Sequence, residues 1–325
     1  MDQEPRSRTY SVADIVGATP IGIISEDDEQ EELQRFYDRV GQNHIPCWED
    51  IVGGRVVFLP GSDVRAKMIS KFFSNTEVHG AERGIRAYTG TIDDIPVMTI
   101  ASGMGSGQLE IIGTEVMRAM LNKGGAVIRY GSMGALKPVP IVKVADLLIA
   151  EWALGADSSF AWMTDEQIKG GARIETDISV IMSLQNALFE AGYSRSPRRG
   201  DSPVFHSGGI QSKALLYAQE IGVGPRGKYF ERIKKIYEQI PDLYGSEMET
   251  ALLYTIAARL NYLTEKYEGR RPILAGSINF FIGDSDHPFH PDAKVRRSAE
   301  KGLVKTVPYV ARHMYNLVKE IPQLK

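Results

Sequence analysis

The feature that most constrains this chain is the run Arg-Tyr-Gly-Ser-Met-Gly-Ala at residues 129–135, which directly follows the apolar residues 126–128. An uninterrupted apolar run predicts a strand that is buried on both faces. The glycines predict the end of that strand and allow backbone N–H groups to approach a ligand closely. Arg129 then stands where open α/β sheets bind their substrates, and a buried arginine calls for an anionic partner. The run therefore predicts a pocket for an oxyanion, with phosphate as the first candidate.

Strands and helices alternate along the chain. Residues 55–59 predict a strand, and 86–91 with 96–101 predict a hairpin around Asp93 and Asp94. Further strands are expected at 144–150, 204–212 and 272–281, and helices at 64–73, 108–121, 177–191 and 299–321. Ser246, with Glu249 three residues later, forms a capping-box pattern and predicts the start of another helix. The alternation predicts an α/β fold of one domain, residues 1–325, around a largely parallel or mixed sheet that helices cover on both faces.

The charge balance limits the partners of this chain. Its 325 residues carry 38 lysines and arginines against 41 aspartates and glutamates, a net charge of −3. This balance offers no general attraction for nucleic acid or an anionic membrane, and no apolar stretch reaches the roughly 18 residues of a membrane span. The single cysteine, Cys47, excludes an internal disulfide framework. Because the N-terminus is polar and acidic, unlike a secretory signal, we expect a cytoplasmic protein.

Three arginines stand beside glycines at predicted turns or strand ends. Arg65 follows the turn around Gly61, Arg83 precedes another glycine, and Arg129 ends the strand described above. Guanidinium groups bind phosphate through paired, charge-assisted hydrogen bonds that lysine does not reproduce. The backbone amide of Gly61 and the hydroxyl of Ser132 would complete such a cradle. The alternative is three unrelated surface ion pairs, because the sequence alone does not bring these residues together.

Two segments have a superficial likeness to cofactor or metal motifs. Residues 102–107 (SGMGSG) contain a GxGxG pattern, but a dinucleotide fingerprint needs an acidic residue at the end of the following strand, about 20 residues on. Arg129 stands there instead, so a dinucleotide site is excluded. Residues 284–290 (DSDHPFH) match no standard zinc spacing and predict a polar loop without a metal.

Glu247, Met248 and Glu249 lie at a predicted helix start. A carboxylate there can accept two hydrogen bonds from a vicinal diol such as that of a ribose. A neighbouring methionine can pack on the apolar face of the sugar. The alternative is an ordinary glutamate that caps the helix.

Six motifs in this order and spacing resemble those of the nucleoside phosphorylase family, which includes uridine phosphorylase and hexameric purine nucleoside phosphorylase. The motifs are residues 60–65 (PGSDVR), 83–91 (RGIRAYTGT), 102–105 (SGMG), 129–134 (RYGSMG), 144–149 (VADLLI) and 247–250 (EMET). The resemblance runs from about residue 55 to the C-terminal helix and leaves residues 1–50 as a divergent N-terminal arm. It implies a three-layer α/β/α fold around a central mixed sheet.

The resemblance assigns the phosphate and ribose sites. It implies that phosphate is held by Gly61, Arg65, Arg129 and Ser132, together with the partner subunit's Arg83. It implies that the ribose is held by Met104, Met248 and Glu249, and at the 5′-hydroxyl by the partner subunit's His44, with Tyr37 as a second candidate. The alternative for the histidine is a loop residue without a role. A homo-oligomer of at least two subunits with shared sites is expected, and inorganic phosphate is the co-substrate without a metal or organic cofactor.

Base recognition is assigned by the resemblance to Gly134, Leu215, Gln219, Glu247 and Asn279. Gln219 corresponds to the glutamine with which uridine phosphorylases read the amide edge of the pyrimidine. Leu215 stands where those enzymes have a stacking aromatic residue.

Two further positions depart from the uridine phosphorylase pattern. Ile221 stands where an arginine is expected, and Phe280 stands where an arginine follows the asparagine of the last strand. Purine-cleaving relatives usually carry an aspartate in place of that asparagine, which this chain lacks as well. Arg226 and Arg232 are candidates for the missing cation.

The resemblance implies that uridine and phosphate are converted to uracil and ribose 1-phosphate, a reaction of pyrimidine salvage. Three alternatives remain open from the sequence. The chain could be a purine nucleoside phosphorylase, a nucleosidase that uses water in place of phosphate, or a nucleoside-binding relative without catalytic activity.

Overall fold

The computed structural model describes residues 26–40, 44–45, 52–80, 84–138, 141–155, 159–169, 171–196, 203–265, 271–283 and 290–321. Arg83 and nearly all of the segment 284–290 lie outside these residues, as does most of the N-terminal arm. The strands are β1 (Val56–Pro60), β2 (Ser74–Gly80), β3 (Arg86–Ile92), β4 (Ile95–Ile100), β5 (Gly125–Ala135), β6 (Leu147–Leu154), β7 (Arg173–Glu175), β8 (Ser194–Arg195), β9 (Val204–Ser212), β10 (Leu243–Glu247) and β11 (Ile273–Phe281).

The helices lie mostly between these strands. They are α1 (Glu26–Arg39), α2 (Asp63–Ser70), α3 (Ser106–Met120), α4 (Asp165–Lys169), α5 (Ile178–Glu190), α6 (Leu216–Glu220), α7 (Gly227–Gln239), α8 (Thr250–Glu265), α9 (Ala293–Val304) and α10 (Val307–Glu320), with a short 3₁₀ helix at Phe160–Trp162. Among the described residues, no helix combines the length and the apolar character that crossing a membrane requires.

The described strands form one mixed sheet in the order β10-β9-β6-β11-β5-β1-β4-β3-β2, with β7 beside β6 and β8 beside β9. β5 runs parallel to both β1 and β11, whereas β6 is antiparallel to β11. β10 pairs with β9 and also, in antiparallel register, with the end of β5, where Ser246 lies opposite Gly134. Strands β5, β11, β6, β9 and β10 therefore close into a ring, and this closure brings the end of β10 to the end of β5.

Helices cover both faces of the sheet. Along β1, Val57 packs into a core with apolar residues of α3 and α8. Its neighbours Val56 and Phe58 pack on the opposite face, with apolar residues of α2, α5, α9 and α10. Because successive side chains of a strand point to opposite faces, a fully apolar strand such as β1 needs two covering layers. The predicted three-layer α/β/α architecture with a central mixed sheet is confirmed.

The strand that carries Arg129 is longer than predicted. The glycines were expected to end it, but β5 continues through Gly131 and Gly134 to Ala135. Its hydrogen bonds to β11 and then to β10 hold the extended backbone past the glycines. A side chain at Gly131 would meet Oδ1 of Asn279 at 1.8 Å, so glycine is needed there for close packing of the two strands.

Two helix predictions are wrong. The expected helix at 299–321 is two helices, α9 and α10, because Pro308 lies in the first turn of α10 and cannot sit inside a longer helix. The helix expected from Ser246 begins at Thr250, because pairing with β5 extends β10 through Ser246 to Glu247. The Glu247 carboxylate replaces the predicted cap and accepts hydrogen bonds from the N–H groups of Glu249 at 2.8 Å and Thr250 at 2.9 Å.

Candidate active site

A cavity of about 280 Å³ opens where β5 meets β10. It lies toward the carboxyl ends of the parallel strands β1 and β5, the edge at which α/β sheets bind ligands. Its wall consists of Gly61, Ser62 and Arg65 after β1; Met104 before α3; Arg129, Ser132, Met133 and Gly134 of β5; Lys213, Leu216 and Glu220 after β9; Ser246, Glu247, Met248 and Glu249 before α8; and Ile282 after β11.

Most of the site residues expected from the sequence line this one cavity. They are Gly61, Arg65, Arg129 and Ser132 of the expected phosphate site, Met104, Met248 and Glu249 of the expected ribose site, and Gly134 and Glu247 of the expected base site. Arg65 and Arg129 are both buried in the same wall, so they are not unrelated surface residues. Leu215, Gln219, Asn279 and His44 are not part of the wall.

Arg129 is held in the wall by two carboxylates. Its Nε donates to Oε2 of Glu247 at 3.0 Å, and its Nη2 donates to Oε2 of Glu249. Burial disfavours the guanidinium charge, but the two carboxylates outweigh this effect and raise the pKa of Arg129. Its remaining nitrogen, Nη1, is buried and has no hydrogen-bond partner among the described residues. A buried donor without a partner is costly and fits a site whose anionic ligand supplies the acceptor.

The two carboxylates differ in their protonation. Burial, aided by the negative charge of Glu247, raises the pKa of Glu249 to about 7, although Arg129 opposes the shift. Burial would also raise the pKa of Glu247, but Arg129 and donors from Ser212, Thr250 and Glu249 hold it below its ordinary value. Glu247 is thus the permanent counter-ion of Arg129. Glu249 is the group whose proton is exchangeable near neutral pH.

Arg65 is tied to the helix that follows the last strand. Its Nε donates to Oε1 of Glu300 at 2.6 Å and its Nη1 donates to the carbonyl of Tyr130 at 2.9 Å. Its guanidinium also lies 5.2 Å from the ring centroid of Phe280. Burial lowers the pKa of Arg65 despite Glu300, and the nearby charge of Arg129 lowers it further. Two guanidinium groups that repel each other across one wall make a site suited to an anion between them.

The glycine loop before α3 brings backbone to the cavity. Gly103 and Gly105 have φ angles of +77° and +86°, a region that favours glycine. The N–H of Gly105 donates to Oε1 of Glu249 at 2.5 Å. Met104 between them is 82% exposed, and a Cβ on Gly105 would lie 3.7 Å from the end of Met248. The loop therefore sets the two methionines and Glu249 around one part of the cavity.

Sequence reasoning missed a lysine and a glutamate in the wall of the cavity. Nζ of Lys213 donates to Oε2 of Glu220 and, at 2.9 Å, to the hydroxyl of Ser246. Nζ of Lys234 donates to Oε1 of Glu220 at 2.9 Å. Burial alone would raise the pKa of Glu220, but the two lysines hold it below its ordinary value. Lys213 directly follows strand β9, and this position at a strand end is the signal that could have identified it.

Three residues expected to read the base lie elsewhere. Oε1 of Gln219 accepts a hydrogen bond from the backbone N–H of Leu215 at 2.9 Å, which ties this side chain to its own helix. Leu215 is exposed. Asn279 is fully buried between β11 and β5, where its Nδ2 donates to Ser277 at 2.8 Å. The family resemblance assigned these residues to the base, but the hydrogen bond of Gln219 to its own helix and the strand packing of Asn279 leave both side chains outside the cavity wall. Arg226 and Arg232 are likewise not part of the wall, and neither are Ile221 and Phe280.

His44 packs on α3 within its own chain. Its Nδ1 lies 2.7 Å from Oε1 of Glu115, and the backbone N–H groups of His44 and Ile45 donate to Oε2 of Glu115 at 3.0 and 2.9 Å. These contacts fix the histidine at a point outside the cavity wall of its own subunit. A role for it in the site of a second subunit stays a prediction.

Comparison with known proteins identifies the family to which this chain belongs. The sequence profile of the family described as the Phosphorylase superfamily matches residues 55–264. A DeoD-type purine nucleoside phosphorylase from Listeria welshimeri is 28% identical over 231 residues, which cover 70% of this chain and 83% of the relative. Another from Shewanella loihica is 29% identical over 217 residues, covering 66% of this chain and 79% of the relative.

A crystal structure of uridine phosphorylase from Vibrio fischeri ES114 has a similar fold. The two superpose with a TM-score of 0.63 at 17% sequence identity, over 85% of this chain and 98% of that chain. At this identity the likeness concerns the fold alone. The profile match confirms the family resemblance that the six sequence motifs indicated, and the superposition agrees with it at the level of the fold.

Proposed function

Since the chain belongs to the phosphorylase superfamily, we propose that it is a nucleoside phosphorylase that cleaves the N-glycosidic bond of a nucleoside with inorganic phosphate. One observation carries this proposal. Two buried arginines and a serine line the same cavity as a carboxylate and two methionines. Such an arrangement matches an oxyanion that lies directly beside a sugar.

The phosphate end consists of Gly61, Arg65, Arg129 and Ser132. The backbone N–H of Gly61 and the hydroxyl of Ser132 are small hydrogen-bond donors that suit phosphate oxygens. Nη1 of Arg129, which has no hydrogen-bond partner in the described part of the chain, supplies a charge-assisted donor. The partner subunit's Arg83 completes the site in this proposal, which makes the active unit a homo-oligomer of at least two subunits.

The ribose lies between the glycine loop and the start of α8 in this proposal. Glu249, as a carboxylate, accepts hydrogen bonds from the sugar hydroxyls. Met104 and Met248 pack on the apolar faces of the ring. The partner subunit's His44 binds the 5′-hydroxyl.

The chemistry follows from this placement. The sugar passes through an oxocarbenium-like state, as in other glycoside cleavages. Phosphate provides both the nucleophile and a negative charge beside that cation, and Arg65 and Arg129 align it. The base departs and ribose 1-phosphate remains. Inorganic phosphate is the co-substrate, and the proposed reaction requires no metal or organic cofactor.

Uridine is the proposed substrate, and pyrimidine salvage in the cytoplasm is the proposed role. A purine nucleoside is the second candidate, because relatives at 28% identity carry the name purine nucleoside phosphorylase. Both candidates use the same phosphate and ribose ends of the cavity. They differ only at the base.

Phosphorolysis of a nucleoside panel, with and without phosphate, tests the proposal. We expect phosphate-dependent release of a free base together with ribose 1-phosphate. Base release that is equally fast without phosphate would identify a nucleosidase instead. Tight nucleoside binding without any release would identify a binding protein on the same fold.

A further inference from the structure

Arg65 contacts the carbonyl of Tyr130, and four residues farther along β5, beside Gly134, the cavity wall contains a buried ion pair that the phosphate and ribose sites do not use. Lys213 and Glu220 both line the cavity there, with Gly134 and Ser246. A Cβ on Gly134 would lie 3.6 Å from Oε1 of Glu220, so the carboxylate lies against this glycine. With phosphate beside Arg65 and ribose beside Glu249, this part of the cavity is where the base of a nucleoside lies.

The pair has unused hydrogen-bonding capacity. An ammonium has three N–H groups, and the described residues accept two of those on Lys213, one at Glu220 and one at Ser246. Each oxygen of Glu220 accepts one hydrogen bond from a lysine, which leaves a lone pair on each. The cavity therefore presents a donor and an acceptor side by side.

Both members of this ion pair are buried. The side chains of Lys213 and Glu220 are only 4% and 6% exposed. A buried ion pair is weak evidence for stability, because its desolvation can outweigh the attraction. A second lysine, Lys234, also binds Glu220 but is 20% exposed and does not line the cavity. With two cationic partners, Glu220 remains an ionised acceptor at neutral pH.

We propose that Lys213 and Glu220 together select bases that present a carbonyl oxygen next to a ring N–H, as uracil, hypoxanthine and guanine do. This inference rests on the proposed function. Lys213 donates to the carbonyl oxygen, and Glu220 accepts from the ring N–H. Bases whose corresponding edge carries an amino group next to an unprotonated ring nitrogen, such as cytosine and adenine, do not provide the carbonyl that Lys213 binds.

The same contact assists departure of the base. When the glycosidic bond breaks, its electron pair goes to the base while a phosphate oxygen bonds to the anomeric carbon. The negative charge spreads onto the carbonyl oxygen, where the buried ammonium of Lys213 stabilises it. The proton that hydrogen phosphate gives up in forming the ester balances the proton that the departing base gains.

The test compares K213M and E220Q with K234M as a matched control, because Lys234 binds the same carboxylate from outside the cavity. The readout is the ratio of kcat/KM for uridine over cytidine, and for inosine over adenosine, at saturating phosphate. We expect K213M to lower kcat/KM for uridine and for inosine, and with it both ratios, about 10- to 100-fold, which is the effect of losing one hydrogen bond to a charged group. We expect K234M to retain the ratio of the wild-type protein.

Methylated substrates test the acceptor without altering the protein. Methylation at N3 of uridine or N1 of inosine removes the ring N–H, and we expect a similar loss on the wild-type enzyme. Equal activity on methylated and unmethylated substrates, a wild-type preference for cytidine and adenosine, or an unchanged ratio in a folded K213M protein would overturn the inference.

Binding of the free bases separates this inference from the proposed function. Calorimetry with uracil, hypoxanthine, cytosine and adenine needs no catalysis. If no nucleoside is cleaved but uracil or hypoxanthine binds through Lys213, the proposed reaction fails and the base selection stands. If nucleosides are cleaved and the four bases bind alike, the reaction stands and the base selection fails.

Discussion

Glu300 on α9 accepts a hydrogen bond from Nε of Arg65 at 2.6 Å, although the two residues are 235 positions apart. This contact neutralises one of the two arginines of the proposed phosphate site. It also ties the first turn of α2 to α9. The negative charge of Glu300 therefore competes electrostatically with an incoming phosphate for the same guanidinium.

The first prediction concerns that competition. E300Q keeps an acceptor oxygen for Arg65 but removes the negative charge. We therefore expect phosphate to bind about three- to tenfold more tightly, an effect that corresponds to a small part of the Coulomb energy between two unit charges at this range. Calorimetric titration with phosphate measures the change. E190Q is the control, because Glu190 also pairs with an arginine, Arg312, but lies outside the cavity. Weaker phosphate binding in E300Q would show that Glu300 serves to orient Arg65.

The second prediction concerns Arg129. Replacing it with lysine keeps a positive charge beside Glu247 and Glu249 but removes the planar donor set, and we expect kcat to fall about 100-fold or more. R129A should also destabilise the fold by about 3–5 kcal/mol, because two buried carboxylates lose their partner. Steady-state kinetics and denaturant unfolding separate the two effects. Undiminished phosphorolysis by R129K would remove Arg129 from the mechanism.

The third prediction follows from the raised pKa of Glu249, about 7 against an ordinary value of 4.5. Below this pKa the carboxyl is protonated and accepts poorly from sugar hydroxyls, so nucleoside affinity should rise as the pH passes upward through about 7. Phosphate itself titrates in this range, so the titration is done without it. In E249Q the dependence should disappear, and a profile that stays the same in this variant would assign the titration to another group.

The same shift predicts the direction of a stability change. A carboxyl with a folded-state pKa above its unfolded value holds its proton longer when folded. Its contribution to the free energy of unfolding is therefore fully present below about pH 4.5 and is lost as the pH rises through about 7. The free energy of unfolding, measured with urea at several pH values, should fall more steeply between about pH 4.5 and 7 in the wild-type protein than in E249Q. Parallel curves would contradict the assignment.

The fourth prediction concerns the glycine loop. Gly105 has a φ of +86°, so G105A should destabilise the fold by about 1–2 kcal/mol. The substitution should also displace the backbone N–H of residue 105 that donates to Glu249, and so weaken nucleoside binding. G107A is the matched control, because Gly107 lies in α3 and no atom of the residues that the structure describes lies within 4 Å of an added Cβ. An alanine there should be neutral or stabilise by up to about 1 kcal/mol. Equal effects of the two substitutions would mean that the loop conformation is not specific.

The fifth prediction tests the proposed sharing of sites between subunits. R83A and E249Q subunits are each expected to be impaired alone. If the partner subunit's Arg83 completes the site, mixed dimers contain one intact site, and random mixing should restore about a quarter of the wild-type activity. A mixture of R129K and E249Q is the control, because both changes lie in the same half-site of a subunit. Full activity of a demonstrated monomer would contradict sharing.

Local patterns in the sequence were sufficient for much of the fold and for the centre of the site. The apolar run before Arg129 identified a buried strand, and Asp93 and Asp94 identified the hairpin turn, where both have positive φ. The order of glycine and charged motifs located Gly61, Arg129 and Glu249, which do line one cavity. These features depend on side-chain burial along a strand and on backbone conformations that few residues adopt. Both can be predicted from residues that are adjacent in the sequence.

The tertiary structure alone decided which charges meet. Arg65 finds Glu300, Arg129 finds a glutamate 120 positions away, and Lys213 finds Ser246 across the pairing of β9 with β10, beside the closure of β10 on β5. The same closure keeps Ser246 in a strand, although its local pattern favoured a helix cap. Partners of this kind depend on how distant strands pair, and strand pairing is governed by the packing of the whole sheet. For that reason the amino-acid sequence determined the strands and the motif positions, whereas the ion pairs of the cavity followed only from the fold.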